Sequence, residues 1–521
     1  MSRLYEYQSK QILEKRGIPI PKGEIASSPD EVREITEKIG GPVALKVQVW
    51  VTGRAGFGGI QFADTPDESA EKSRKMFGMK VKNFVIDSIL VEEKLEVEKE
   101  FFCGIIIDDS LKMPLLVFSP VGGTGIEEIA RRHPEKVVRF PVDISEGLRE
   151  YHARNLLLKT GLSGKLLVQI SAVLARLYMT ARQVDARSVE VNPLILTKDG
   201  SVVAADCHLA IDDYAVFRHP ELNIEVAREF DRPPTVLEKI AYQVEEQDHR
   251  GTFYFLQMQE EISGKDKAIG FNGAGGGGSM MSMDAVLKRG FSLANYCDTS
   301  GNPSASKVYR AAMIILSQPN LKGYFASGSG VASQEQYHSA RGLVKAFREE
   351  KMEIPAVIRL GGNFEEKAIE ILNTCLKDIP AEVEGYGRDD TPEYCAQRME
   401  VLIKENNNSS HKVRPLATSA LKENAYAFDT FTGRIHLDHD KCSDCRTKGC
   451  IDACQPNILK LENELPVLAI DPEEVKRGRC TECLACEIFC QFQEQDAIFI
   501  HLPIPGLKVY RETLMEKQEE D

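Results

Sequence analysis

Eight of the thirteen cysteines fall between Cys442 and Cys490. The first run is Cys442-x2-Cys445-x4-Cys450-x3-Cys454, and the second is Cys480-x2-Cys483-x2-Cys486-x3-Cys490. Four thiolates per run is the ligand count of a 4Fe–4S cluster, and the second run has the C-x2-C-x2-C-x3-C spacing that holds such clusters. Four-cysteine zinc sites share the CxxC spacing. Two interleaved runs of four favour iron–sulfur over a pair of zinc ions. A secreted disulfide framework would spread its cysteines along the chain, and an odd total would leave one unpaired. The scattered Cys103, Cys207, Cys297, Cys375 and Cys395 read as small buried hydrophobes.

A second group of residues has the chemistry to hold phosphates. Lys46 lies in the β-rich run Gly41–Val49, and the glycine-rich stretch Gly53-Arg54-Ala55-Gly56-Phe57-Gly58-Gly59 follows it closely. Glycines let backbone N–H groups approach phosphate oxygens, and a lysine neutralises their charge. The stretch is neither a Walker A loop nor a G-x-G-x-x-G turn, so on its own it is a weak signal. Farther on, Glu190-Val191-Asn192-Pro193 and Asp206 fall on facing strands of a hairpin predicted through Lys198-Asp199-Gly200. An Asn carbonyl and an Asp carboxylate are the hard oxygen ligands that Mg²⁺ uses beside nucleotide phosphates. Read alone, the pair is more simply an ordinary set of polar turn residues.

The elements that must position these groups form an α/β chain. Its 521 residues correspond to about three or four domains. Residues 1–225 read as alternating helices and strands: a helix over Tyr5–Arg16 stopped by Gly17, strands at Phe102–Ile107 and Leu115–Phe118, and a helical stretch over Arg154–Arg182. Residues 226–265 read as a charged helical connector. Residues 266–404 repeat strand, glycine turn and helix, at Asn272–Gly278, Gly328-Ser329-Gly330 and Gly361-Gly362-Asn363. Such units build a parallel sheet, here of flavodoxin-like kind, with ligand loops at the carboxyl ends of the strands. Residues 405–424 read as a linker, 425–505 as a small α+β cysteine domain and 506–521 as a disordered acidic tail. Sixty-five basic against 79 acidic residues give a net charge of −14, which argues against nucleic acid as the partner. No apolar run reaches the roughly 18 residues of a membrane span, and the N-terminus has no apolar signal core. A cytoplasmic chain is expected.

The cysteine domain resembles a bacterial-type two-cluster ferredoxin over about residues 425–505, including an inter-motif hairpin from Ile458–Leu461 to Ala469–Pro472. In that arrangement the fourth cysteine of each run ligates the other cluster. Cys442, Cys445, Cys450 and Cys490 then hold one 4Fe–4S cluster, and Cys480, Cys483, Cys486 and Cys454 the other. The chain departs from the family in the longer spacing before Cys450 and in lacking Pro after Cys490.

Residues 1–404 resemble the β subunit of succinate–CoA ligase, an ATP-grasp protein. The segments that carry the resemblance are Leu4–Lys10, Lys46-Val47-Gln48-Val49, Ile89-Leu90-Val91-Glu92, Gly122-Gly123, Glu190–Leu194, Asn272-Gly273-Ala274-Gly275, and Arg359-Leu360 with Gly362-Asn363. The resemblance implies that Lys46, Gly53, Arg54 and Ala55 contact ATP (or GTP) phosphates, and that Glu92 and Glu100 hold the adenine and ribose side. It implies that Asn192 and Asp206 bind Mg²⁺, that Glu190 steadies a partner's phosphohistidine loop, and that Asn272 with Ser329, Gly330 and Val331 meets a small carboxylic acid. Trp50 stands where the family has His, Thr52 where it has Gly, His208 where it has Lys, and Gly361 where it has Glu. The stretch Gly328–Ala332 lacks the family's arginine.

In that family a separate α subunit binds CoA and carries the phosphohistidine, and no histidine here sits in such a loop; His219 and His338 read as surface residues. The activity implied is ADP-forming acid–CoA ligation with an α-type partner, and the fused ferredoxin domain implies a ferredoxin-linked redox enzyme or electron carrier as a further partner. The alternative is an electron-transfer protein in which ATP turnover gates electrons to a low-potential acceptor.

Overall fold

The computed structural model describes residues 1–520 except 52, 124–136, 229, 231, 249–250, 266, 329, 331, 407–408, 417–424 and 493–494. The chain divides into two compact units, Met1–Pro234 and Thr235–Asp521. No helix among the described residues is long and apolar enough to cross a membrane.

The first unit holds two principal antiparallel sheets. The smaller sheet orders its strands Gly23–Ala26, Ile89–Glu93, Val43–Val47 and Ile60–Ala63. Alternation along a strand sends successive side chains to opposite faces. Val43, Leu45 and Val47 therefore enter the core with Ile89 and Val91, while Lys46 and Glu92 share the other face. Two helices cover the core face. Ser28 and Thr65 cap them by accepting from the Glu31 and Glu68 amides, and Pro29 and Pro66 start them. Both features satisfy or dispense with the orphan donors of a first helical turn.

The larger sheet runs Ser2–Arg3, Cys207–Ile211, Ala186–Thr197, Val97–Asp108, Met113–Ser119 and Val138–Pro141, with Val202–Ala204 also paired to Ala186–Thr197. The hairpin expected through Lys198-Asp199-Gly200 forms, with Leu194 opposite Ala204. The helical stretch expected over Arg154–Arg182 is instead two helices, Glu150–Leu158 and Gly164–Gln183, separated at Gly161, which has φ +82°.

The second unit is built on a sheet whose strands run Tyr254–Gln257, Asn295–Asp298, Ala268–Ala274, Gly323–Gly328, Ala356–Arg359 and Val383–Tyr386. All pairings are parallel except that of Tyr254–Gln257. The segment 226–265 is thus not only a helical connector: it supplies a helix, Val236–Glu246, and this antiparallel edge strand. The helix expected from about Ser282 begins earlier, at Gly276. Gly275, at φ +93°, turns the chain sharply off the strand end, and Ser279 Oγ donates back to its carbonyl.

The cysteine region contains the antiparallel strands Tyr426–Asp429, Arg434–Leu437 and Ile498–His501 and the hairpin Leu459–Glu462/Leu465–Leu468. Its interior is continuous with that of the parallel-sheet region: Leu343, Val344 and Phe347 belong to the same buried cluster as Ile488, Ile500 and Leu502. Lys345, buried beneath the rings of Tyr309 and Phe499, pairs with Glu487 at 2.7 Å and Glu349 at 2.8 Å.

Two segments correct the sequence reading. Residues expected as an acidic tail form the helix Leu507–Glu520, anchored by the fully buried Arg511. The segment 405–424, expected as a linker, buries His411. Backbone bonds join His411 N to Leu321 O at 2.8 Å and Asn320 N to His411 O at 3.0 Å. Its Nε2 donates to the Leu316 carbonyl at 2.8 Å. Burial pushes its pKa down to about 4; the Leu316 bond opposes this, Arg511 and Arg414 reinforce it, and Glu353 opposes it. The unfolded histidine titrates near 6.5, so the folded state loses stability as pH falls from about 6.5 to 4, by roughly 3 kcal/mol in total. Denaturation of His411→Gln, which keeps an amide donor without the titration, should show a flatter acid limb across that window. An unchanged limb would refute the assignment.

Candidate functional site

In the first unit the face of the small sheet that carries Lys46 opens onto a buried cluster of six charges. Lys46 Nζ lies 2.9 Å from Glu6 Oε1 and 2.9 Å from Glu92 Oε2, and donates to the Ala205 carbonyl at 2.6 Å. Lys10 Nζ meets the same two carboxylates at 2.7 and 2.6 Å, and the same carbonyl at 2.7 Å. Arg54 bridges Glu6 Oε2 at 2.6 Å and Asp206 Oδ2 at 2.8 Å. Burial raises the pKa of Glu6, but Lys10, Lys46 and Arg54 outweigh it and hold the carboxyl well below its usual range. Burial likewise works against the Lys46 ammonium, and Glu6, Glu92 and Asp206 reverse that. Three cations and three anions thus balance in a largely buried volume.

Glu92, expected toward adenine and ribose, is here engaged by the two ammonium groups and almost fully buried. Glu6 and Lys10 were overlooked as site residues. Their signal was present, since a Glu and a Lys four apart share a helix face, but the strand that supplies Glu92 lies far along the chain.

Asn192 and Asp206 come together as expected: Asn192 N donates to Asp206 O at 3.3 Å. The Asn192 Oδ1 accepts from Gly123 N at 2.8 Å, and its Nδ2 lies 3.5 Å from Glu190 Oε1. A Cβ at Gly122 would come within 2.4 Å of the Phe101 backbone, and Gly123 holds φ +86°, a conformation that side chains rarely adopt. Asp206 Oδ1 is buried without a hydrogen-bond partner, and His208 Nε2 is 3.8 Å from Oδ2. An orphaned carboxylate oxygen in a buried site suits a cation. Among the described residues no three His, Cys, Asp or Glu side chains come close enough to hold a single metal ion. A Mg²⁺ at Asp206 would therefore need phosphate oxygens and water to complete its shell, as Mg²⁺ commonly does.

In the second unit Asn272 sits near the carboxyl end of its strand. Its Nδ2 donates to Tyr324 Oη at 3.1 Å, and its Oδ1 is buried and unpartnered. Gly330, at φ +78°, lies against Arg359; Ser329 and Val331 fall outside the described residues. Arg359 donates to the carbonyls of Asp390 at 2.6 Å, Gly328 at 3.1 Å and Arg388 at 3.1 Å. It ties together the loops at the strand ends, a role that its sequence neighbours do not announce.

The eight clustered cysteines fall into two sets. Burial, then Cys490 and Cys450, push the Cys442 thiol up to about 12. Burial, then Cys490 and Cys445, push Cys450 up to about 11. Cys445, the most exposed of this set, is lowered, because bonds from the Lys448 amide and from Thr447 outweigh its slight burial. In the other set, burial followed by Cys483, Cys480 and Cys454 raises Cys486, and burial with Cys483, Glu482 and Cys454 pushes Cys480 up to about 12. The first set lines a small solvent-connected pocket of about 20 Å³ with Lys448 and Phe489.

Two domain families match the chain: the ATP-grasp domain over residues 3–196, and the ATP citrate lyase citrate-binding domain over residues 263–395. Both matches lie before Cys442. In fold, the chain is similar to an ATP citrate lyase from Methanothrix soehngenii solved with citrate and coenzyme A, with a TM-score of 0.63 and 18% identity over 78% of this chain and 99% of that one. The domain match over residues 3–196 thus marks an ATP-grasp protein. Its curated relatives include the succinate–CoA ligase [GDP-forming] subunit beta of Thermus thermophilus, 36% identical over 71% of this chain and 93% of the relative. Another is the succinate–CoA ligase [ADP-forming] subunit beta 2 of Archaeoglobus fulgidus, 38% identical over 73% and 94%. The chain belongs to the succinate–CoA ligase β-subunit family, and is therefore an enzyme subunit.

Proposed function

We propose that this chain is the nucleotide-binding β-type subunit of an ADP-forming acid–CoA ligase, working with an α-type subunit that binds CoA and carries the phosphohistidine. The observation that carries the reading is the meeting of Lys46, Arg54 and Asp206 in one buried cluster with Asn192 beside it. On this reading Lys46 and Arg54 neutralise the phosphates of ATP (or GTP), and Asp206 and Asn192 hold Mg²⁺. Gly53 and Ala55 offer backbone donors, Glu100 faces the nucleoside, and Glu190 steadies the partner's loop. Asn272 and Ser329-Gly330-Val331 receive a small carboxylic acid. The strand order of the second unit, in which the first parallel strand lies between the second and third, is that of flavodoxin-like sheets and supports that description of residues 266–404.

The C-terminal module, on the same reading, is a two-cluster ferredoxin domain that links the ligase to a redox partner. Support comes from the thiols, whose principal thiol neighbours divide as Cys442, Cys445, Cys450 and Cys490 against Cys454, Cys480, Cys483 and Cys486. Bound clusters would supply one-electron chemistry. The second reading, an electron carrier gated by ATP turnover, is favoured by the continuous core and the buried Lys345–Glu487 pair, which tie the module to the parallel-sheet region rather than tether it.

The test is anaerobic purification with co-purifying chains, followed by assay of CoA- and acid-dependent ADP release. Lys46→Ala is expected to abolish that release and leave cluster absorbance intact; Cys483→Ala is expected to remove the absorbance of one cluster and spare ADP release. Loss of ADP release in both variants would establish the gated carrier. Acid-dependent ADP release that survives Lys46→Ala would sink the nucleotide assignment.

A further inference from the structure

Arg310 lies on the helix Ala305–Ile315, where the parallel-sheet region meets the cysteine module, and is 6% exposed. Its Nε donates to the Pro503 carbonyl at 3.1 Å, and its Nη2 donates to the Thr432 carbonyl at 3.1 Å and hydroxyl at 2.9 Å. All three acceptors are neutral. Among the described residues no carboxylate reaches ion-pairing distance of the guanidinium, and Nη1 makes no hydrogen bond. A buried charge without a direct ion-pair partner is expensive, and Glu482 reaches this one only through the Thr432 hydroxyl.

The nearby acids are committed elsewhere. Glu482 accepts from the Thr430 hydroxyl at 2.6 Å and from the Thr432 amide and hydroxyl at 2.7 and 2.6 Å. Asp248 is in contact with Lys307. Arg310 instead faces a solvent-connected pocket of about 80 Å³, whose wall includes Ser304, Ser306 and Cys480 together with the paired Lys307 and Asp248 and with Glu482. Ser304 and Ser306 stand at the N-terminus of the same eleven-residue helix, their hydroxyls 3.1 Å apart. The first-turn amides and the helix dipole there favour negative charge.

We propose that this pocket binds a small oxyanion, paired with Arg310 Nη1 and hydrogen-bonded by the hydroxyls at the helix start. The site is separate from the Lys46 cluster, which lies in the other unit, and half of its wall comes from the cysteine module, next to Cys480. Phosphate and a small carboxylate share the required chemistry, and the experiment separates them.

Full-length protein in chloride buffer of fixed ionic strength is titrated calorimetrically with inorganic phosphate and, separately, with succinate. Saturable binding of one or both is expected, weakened at least tenfold in Arg310→Gln and several-fold in Ser306→Val, and retained in Lys46→Ala. Retention in Lys46→Ala separates this site from the nucleotide reading, so that either can fail alone. Saturation by phosphate only names phosphate as the class, and saturation by succinate only names a carboxylate. Equal affinity in wild type and Arg310→Gln, or no saturable binding of either anion, overturns the proposal. If Arg310→Gln does not fold, wild-type crystals soaked in selenate decide: anomalous density at Nη1 supports the site, and its absence at saturating selenate refutes it.

Discussion

Arg511→Met is expected to destabilise the second unit by about 3–5 kcal/mol, the range for stranding one partner of a buried ion pair. Arg511 has no exposed surface. Its Nη1 pairs with Glu350 and donates to the Arg414 carbonyl, its Nε donates to Ser317 Oγ at 2.7 Å, and its Nη2 donates to the Met313 carbonyl at 2.9 Å. Methionine fills much of the same volume but leaves Glu350 buried beside Glu349 without its guanidinium. Burial already raises the Glu350 pKa, with Arg511 the largest opposing influence. Removing Arg511 must raise it further, so the variant's carboxyl takes up a proton on folding. A folded-state pKa above the unfolded value stabilises at low pH and is lost as pH rises through the folded value. The penalty should therefore be smaller at pH 5 than at pH 8, a dependence that simple loss of packing would not produce. At roughly 2–4 °C per kcal/mol for a unit of this size, the unfolding midpoint at pH 8 should fall by about 10 °C. A loss under 1 kcal/mol, or one that is the same at both pH values, would show that Arg511 is not the anchor of the C-terminal helix described above.

That helix also shows where reading the sequence runs out. Glu516–Asp521 looks like a solvated acidic end, and nothing local reveals that Arg511 reaches Ser317 and Met313, nearly two hundred residues earlier. The two cysteine runs are visible in the sequence because each brings four thiols within a dozen or so residues. Lys46, Asn192 and Asp206 were legible as types, and the hairpin turn at Lys198-Asp199-Gly200 correctly predicted that the last two would face each other. Glu6, Lys10 and Arg359 were not, because each owes its role to a strand or loop that the fold brings in from elsewhere. Their neighbours in the chain are ordinary helix and strand formers. The edge strand Tyr254–Gln257 was missed for a related reason: four residues beside a charged helix carry too little alternation to show against it.

Lys10→Met is expected to weaken MgADP binding by on the order of 100-fold, although on the reading above Lys10 touches no phosphate. Its Nζ is held by both oxygens of Glu92, by Glu6 Oε1 and by the Ala205 carbonyl. The intact cluster is neutral, with Lys10, Lys46 and Arg54 set against Glu6, Glu92 and Asp206. Deleting one buried cation leaves a net negative charge at the place where phosphates must arrive. At an effective dielectric of about 20 and a separation of about 6 Å, one unit charge is worth on the order of 2–3 kcal/mol, which is a factor near 100 in affinity. The double variant Glu6→Gln, Lys10→Met restores neutrality and should recover most of the binding, while Glu6→Gln alone, which leaves a net positive cluster, should bind MgADP more tightly than wild type. Calorimetric titration of the four proteins checks this. If the double variant binds no better than Lys10→Met, charge balance is not what sets the affinity, and Lys10 acts by holding Glu92 and the Ala205–Asp206 turn in place. In that event the strand Ile89–Glu93, and not the phosphate loop, is the element on which nucleotide binding turns.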